Sequence, residues 1–110
     1  MLERDYQSRL IKRIEKRLPG CIILKNDSGY RQGIPDLTVF YGPRYGILEV
    51  KPEEPTSPDD YEPNQEWYIN KFNEMAFGSV IYPGNEERVL DALQETLSPS
   101  EPPSCNPKRE

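Results

Sequence analysis

Residues 33–51 read Gly-Ile-Pro-Asp-Leu-Thr-Val-Phe-Tyr-Gly-Pro-Arg-Tyr-Gly-Ile-Leu-Glu-Val-Lys. Asp36 to Tyr41 is β-branched and aromatic, which predicts a strand. Gly42-Pro43-Arg44-Tyr45 predicts a turn, and Gly46 to Lys51 a second strand, so the stretch reads as a hairpin. Side chains alternate across a strand, which puts Glu49 and Lys51 on one face with Val50 on the other. Asp36, Thr38 and Phe40 likewise share a face. A four-residue turn would set Tyr41 opposite Gly46, Thr38 opposite Glu49 and Asp36 opposite Lys51. Slipping by one residue would send the two sets to opposite faces. In this register Asp36 and Glu49 are diagonal neighbours, roughly 7 Å apart.

Two carboxylates at that separation repel and call for a cation between them. An all-oxygen site of this kind suits Mg²⁺ or Mn²⁺, which keep several waters and take one or two carboxylates plus a substrate phosphate. Such an ion polarises a phosphoryl oxygen and lowers the pKa of a bound water. Lys51 beside it would orient that water, help deprotonate it, or stabilise charge developing on the phosphate. The plain alternative is that Asp36 merely starts a strand and that Glu49 and Lys51 form an exposed ion pair of little worth.

Upstream, residues 3–18 predict an amphipathic helix, with Tyr6, Leu10, Ile14 and Leu18 repeating every four residues and Ile11 widening the stripe. Arg9, Lys12, Arg13, Lys16 and Arg17 cover much of the rest. They form either a solvated face, in part paired with Asp5 and Glu15 at helical spacing, or a phosphate-facing surface. Pro19-Gly20 ends the helix, Cys21 to Lys25 predicts a short strand, and residues 26–35 a turn-rich loop. Downstream, residues 52–63 hold four prolines, five acids and no base, predicting a mobile acidic loop. Asn64 is read as the cap of a helix to Ala76 that buries Tyr68, Ile69, Phe72, Met75 and Ala76. Ser79 to Tyr82 predicts a fourth strand, and Asn85 the cap of a last helix carrying Val89, Leu90, Leu93 and Leu97. The order is α-β-β-β-α-β-α, a mixed four-stranded sheet flanked by helices. Residues 1–97 are expected to form one domain and residues 98–110 a disordered Pro/Ser-rich tail.

Composition narrows the chemistry. The 110 residues contain no histidine, which removes Ser-His-Asp and Cys-His nucleophile systems and most zinc sites. The two cysteines, Cys21 and Cys105, lie far apart and fit free thiols in a reducing compartment. No run is long and apolar enough to span a bilayer and no signal segment opens the sequence, so the expectation is a cytoplasmic protein with no membrane partner. The net charge of −5 argues against a nucleic-acid partner at first sight, but the charge is unevenly spread. Residues 1–51 hold ten Lys/Arg against six Asp/Glu, whereas residues 52–110 hold four against thirteen. The positive half is the half that contains Asp36, Glu49 and Lys51.

Gly33-Ile34-Pro35-Asp36, Leu48-Glu49-Val50-Lys51 and the Asn64-Gln65 helix start together resemble the PD-(D/E)xK nuclease superfamily, in particular its small VRR-NUC branch, which includes virus-type and Holliday-junction-resolvase-like proteins. The resemblance spans residues 3–97 and implies a restriction-endonuclease-like α/β core. It implies that Asp36, Glu49, the Val50 carbonyl and, directly or through water, Glu3 hold the metal. Lys51 would be the catalytic lysine and Gln65 the glutamine that organises the site. Glu15 competes with Glu3 for the helix-one role, and Glu3 is preferred because Gln7 and Leu10 continue its face. Lys25, Arg31, Lys12 and Lys16 are the candidate nucleic-acid contacts.

The expected activity is Mg²⁺- or Mn²⁺-dependent endonucleolytic hydrolysis of DNA, duplex or branched. It would be carried out by a homodimer with no other small-molecule cofactor, in a cell or, for a viral protein, in the host cell. A non-catalytic module that works through the acidic loop and tail, or an RNA-directed nuclease, are the alternatives. The second has only Tyr30, Tyr41 and Tyr45 as candidate stacking residues.

Overall fold

The computed structural model describes residues 2–27 and 29–99. Its elements run α1 (Glu3–Arg17), β1 (Ile22–Lys25), β2 (Leu37–Tyr41), β3 (Arg44–Val50), α2 (Gln65–Met75), β4 (Gly78–Ile81) and α3 (Glu86–Leu97), with 3₁₀ turns at Pro58–Asp60 and Pro83–Asn85. This is the expected α/β order. One sheet carries the strands in the order β1-β2-β3-β4, antiparallel except for the parallel β3–β4 pair. No helix among the described residues is long and apolar enough to cross a membrane. The tail from residue 100, with Cys105, lies outside the described residues.

The hairpin register departs from expectation. Tyr41 pairs with Arg44, Val39 with Gly46 and Leu37 with Leu48. The turn is therefore only Gly42-Pro43. Gly42 adopts φ +61°, which a type II′ turn needs at its first central position and which a glycine meets without steric cost. The shift from the expected pairing is two residues. An even shift preserves the faces, and it brings Asp36 directly opposite Glu49 instead of diagonal to it.

Alternation then sorts the sheet into two faces. Leu37 and Val39 of β2 and Leu48 and Val50 of β3 meet Tyr6, Leu10, Ile14 and Leu18 of α1 and Val89, Leu90, Leu93 and Leu97 of α3 in one dry core, completed by Phe77 and Ile81. The i, i+4 spacing on α1 that predicts its stripe is what closes this face. Burying a side chain such as Leu10, fully inaccessible here, contributes on the order of 2 kcal/mol. Part of the basic face of α1 is not free. Arg13 pairs with the buried Glu86, which also accepts the Tyr6 hydroxyl at 3.0 Å. Arg17 reaches Glu87 and Asp91, both at 2.8 Å. These cations thus clamp α1 to α3, a pairing more distant in sequence than the Asp5 and Glu15 contacts considered above.

The other face is covered only in part. Helix α2 crosses β3 and β4, its backbone lying so close to Gly78 that a Cβ there would stand 2.4 Å from the Ile69 carbonyl oxygen. Of α2, only Gln65 is buried. Tyr68, Ile69, Phe72 and Ala76 are half-buried, while Met75, expected inside, is 63% exposed. The helix does not cover β1 or the far end of β2 on this side, so Ile22, Leu24 and Phe40 remain exposed, while Thr38 is buried and bonded to Asn26. The two asparagine caps are also corrected. Asn64 stands before α2 with φ +74° and makes no side-chain cap. The Asn85 side chain accepts the Tyr82 N–H and donates to the Val80 carbonyl, bracing the turn before α3.

Candidate metal centre

The site begins with Pro35. Continuing the observed register by two residues puts Pro35 across from Val50. Proline has no N–H to offer, so the β2–β3 ladder cannot close there by main-chain bonds alone. The two acids close it instead. The Val50 N–H donates to Asp36 Oδ2 at 3.0 Å, and the Asp36 N–H donates to Glu49 Oε1 at 3.2 Å. Each carboxylate thus holds a main-chain donor next to the other. The Val50 carbonyl, on the same strand edge as its N–H, faces a residue with nothing to donate.

Glu49 is 3% exposed. Burial, and then the neighbouring Asp36 charge, push its carboxyl up to about 8, against the pull of Lys51. Asp36 is raised too, by burial first, with the Val50 N–H and Lys51 opposing and Glu62 adding to the rise. Glu3, at the first turn of α1, is raised by burial, then by Asp36, with Lys51 opposing and Glu62 adding. Among the described residues, Lys51 is the cation that opposes the rise at Glu3, Asp36 and Glu49, and Glu62 adds to the rise at the first two. That cation, Lys51, lies 3.3 Å from Glu49 Oε2.

Lys51 has a second attachment. Its ammonium donates to the Asp60 carbonyl at 2.8 Å and sits 5.4 Å from the centre of the Tyr61 ring. These contacts tie the acidic loop to the site. The Asp60 carboxylate accepts the N–H groups of Thr56 and Ser57 at 2.8 and 3.2 Å, and four prolines limit what the loop loses on ordering. At its far end Gln65 Oε1 accepts the Glu62 N–H at 3.0 Å. The amide nitrogen of this buried glutamine has no partner among the described residues. A depression between Glu3, Lys51 and loop residues 52–56 and 60 opens beside the site.

The donor set fits a hard divalent cation. Two carboxylates and a main-chain carbonyl supply oxygens only, and the crowding of negative charge on buried Glu49 is what a cation would relieve. Among the described residues no three ligating side chains stand together in a closed cage, so water and substrate oxygen would complete the shell, as Mg²⁺ favours.

The expected nucleic-acid contacts are dispersed. Arg31 lies on the α2 side, donating to the Tyr68 hydroxyl at 3.2 Å. Lys25 is exposed at the end of β1, paired with Leu37, so alternation turns it toward the face opposite Glu49. Lys12 and Lys16 are exposed, about 14 and 20 Å along α1 from Glu3 at the helical rise. The structure does not bring these three lysines into the site. It does assemble an aromatic cluster on α2 from Tyr68 and Phe72, both expected on its buried side, and Trp67, which the sequence pattern had not singled out. Trp67 meets Tyr68 edge-on at 5.0 Å, and Tyr68 stacks on Phe72 at 6.0 Å. The signal available was the exposed position of Trp67 between polar neighbours on α2.

No family model matches the chain, and no curated protein matches it. A solved structure described as a VRR_NUC domain is similar to it, with 26% identity and a TM-score of 0.59, covering 84% of this chain and 94% of its own.

Proposed function

We propose, from its likeness to a solved VRR_NUC domain, that the chain is a VRR-NUC-type nuclease and a divalent-metal-dependent endonuclease hydrolysing DNA phosphodiester bonds. The observation that carries the reading is the reciprocal brace of Asp36 and Glu49 across β2 and β3, with Lys51 on the same face. Asp36, Glu49 and the Val50 carbonyl would hold Mg²⁺ or Mn²⁺, with Glu3 acting through water. When bound, that ion would polarise a phosphoryl oxygen and acidify a water. The protein's own groups do the rest. The brace fixes both carboxylates before substrate arrives, so little reorganisation is left for the reaction. Lys51 places one positive charge where negative charge grows on the phosphate, and it orients the attacking water. Gln65 holds the end of the acidic loop and keeps two amide protons free for water or substrate oxygen.

Lys51 uses one ammonium proton on the Asp60 carbonyl and one on Glu49, which leaves a third for water or a phosphate oxygen. One domain of this size offers little surface for DNA, whose specific interfaces bury about 1,000 Å² or more of protein. A homodimer with two sites is therefore the working unit we propose, suited to branched or junction DNA. Incubating the protein with linear, flapped and four-way DNA and Mg²⁺ or Mn²⁺ tests the reading. Cleavage lost in Lys51→Ala, with DNA binding retained, is the expected result. Intact DNA of all three kinds would overturn it, in favour of a binding module on the same fold.

A further inference from the structure

The open part of the α2 face contains a cleft of about 350 Å³ lined by Ile34, Thr38, Phe40, Tyr45, Ile47 and Phe72, with Asn26 at one end. Its floor is continuous with the candidate metal centre. Thr38 lies two residues beyond Asp36 on β2, and Ile47 two residues before Glu49 on β3, so all four share a face. At about 3.3 Å per residue, the cleft starts roughly 7 Å from the carboxylates, close to the spacing of successive nucleotides along a strand. Phe40 and Tyr45 pair across the strands with ring centres 6.3 Å apart. Phe72 brings in the Tyr68 and Trp67 rings from α2.

Charge decides from which side a strand approaches. The depression beside Lys51 is lined by Glu3, Glu53, Glu54 and Asp60, and another, by Trp67, is lined by Asp59, Glu62 and Glu66. Both repel phosphate. The cleft has no acidic lining residue. One ring removed from the cleft, since Tyr68 stacks on the lining residue Phe72, Arg31 is bonded to the Tyr68 hydroxyl and lies 5.9 Å from the Tyr30 ring centre. Its partners are aromatic, and among the described residues no carboxylate neutralises it. Of the three polar side chains lining the cleft, Thr38 and Asn26 are already paired, and the third is the Tyr45 hydroxyl. Thr38 donates to Asn26 Oδ1 at 3.0 Å, and Asn26 donates to the Pro35 carbonyl at 2.9 Å. They leave ring faces and that one hydroxyl to meet a ligand, and ring faces take any base.

We infer that this cleft holds an unpaired nucleobase next to the scissile phosphate, with Phe40, Tyr45 and Phe72 as the stacking surface and Arg31 on the adjoining phosphate. The inference rests on the nuclease reading for the position of that phosphate. It makes the substrate a DNA strand with at least one unpaired nucleotide beside the cut, bound without sequence preference. A paired base within a continuous duplex cannot enter the cleft without flipping, which costs unstacking energy.

The test is binding without metal, so that cleavage plays no part. The full chain, in EDTA, is titrated into a labelled oligothymidine and into a duplex of equal length, and anisotropy is followed. The oligothymidine is expected to bind about tenfold more tightly than the duplex. Phe40→Ala should weaken oligothymidine binding about tenfold, and Phe40→Tyr should restore it. Arg31→Ala, a surface change that leaves packing intact, should weaken it and lower the salt slope by about one. Equal affinity for duplex, or wild-type affinity in both Phe40→Ala and Arg31→Ala, would overturn the inference. So would an oligouridine bound more tightly than oligothymidine, which would make RNA the ligand. Failure here leaves metal-dependent cleavage standing as a separate result. Stacking that survives in a protein unable to cleave any DNA with metal would overturn the nuclease reading and leave the cleft.

Discussion

One sheet separates two unlike surfaces. On the α1/α3 side Leu37, Val39, Leu48 and Val50 are apolar and sealed, with only Tyr41 half-buried and Arg44 exposed at the turn end, and Glu86 and Arg17 are paired. On the α2 side the same strands present Asp36, Thr38 and Phe40 and Tyr45, Ile47 and Glu49, and the helix above them covers only part of what they offer. The strands alternate, so each residue that stabilises is followed by one that can act. The fold's stability is concentrated on one face, which lets the other hold a strained group, Glu49, whose burial costs free energy that the core offsets.

That division predicts different outcomes for substitutions on the two sides. On the acting face, Asp36→Asn or Lys51→Ala should reduce cleavage by about a thousandfold, with a urea midpoint equal to or above that of the wild type for Asp36→Asn, because a repulsive charge has been removed. A large loss of stability in Asp36→Asn would break the comparison. On the sealed face, Leu10→Ala should cost about 2–5 kcal/mol in urea unfolding, while cleavage per folded molecule stays the same. A selective loss of cleavage in a fully folded Leu10→Ala protein would contradict the separation.

The raised carboxyl of Glu49 sharpens the comparison through pH. Its pKa is near 4.5 unfolded and about 8 folded. The folded state therefore holds the proton more tightly, and metal-free stability is highest below about pH 4.5 as far as this group is concerned. It declines as pH climbs toward 8 and levels off above. Thermal melts of Glu49→Gln should lack that decline. Metal binding needs the ionised form, so Mg²⁺ affinity measured by calorimetry should rise over the same interval. The smallest effect expected is at Lys12 and Lys16. Exposed on the helix of the sealed side, they should change DNA affinity less when replaced by alanine than Arg31 does, in the same anisotropy titration.

How much of this was legible in the sequence follows from the range of each interaction. The element order, the sealed core and the grouping of Asp36, Glu49 and Lys51 on one face were legible, since they depend on periods of 3.6 and 2 that a sequence displays directly. The register was read two residues too wide, because Gly42-Pro43 suffices as a turn only when glycine takes a positive φ. The parity of that error left the face assignment intact. The burial of Met75 was misjudged, since an apolar stripe says that a helix can be covered, not how far the sheet beneath extends. The path of the acidic loop over the site is set by Lys51 reaching the Asp60 carbonyl and by Asp60 folding back on Thr56 and Ser57. No local pattern announces the first of these contacts. Trp67 lies outside the apolar stripe of α2, so the helical period gave it no role.

The central claim is that Asp36, Glu49 and the Val50 carbonyl form a site for a divalent cation. A crystal of the full chain soaked in Mn²⁺ tests it most directly, with anomalous scattering locating the ion. The account predicts a peak within about 2–2.5 Å of oxygens of both carboxylates and of the Val50 carbonyl, absent in Asp36→Asn. A fully soaked crystal with no anomalous peak at this pair, or with a peak held by other residues, would contradict it.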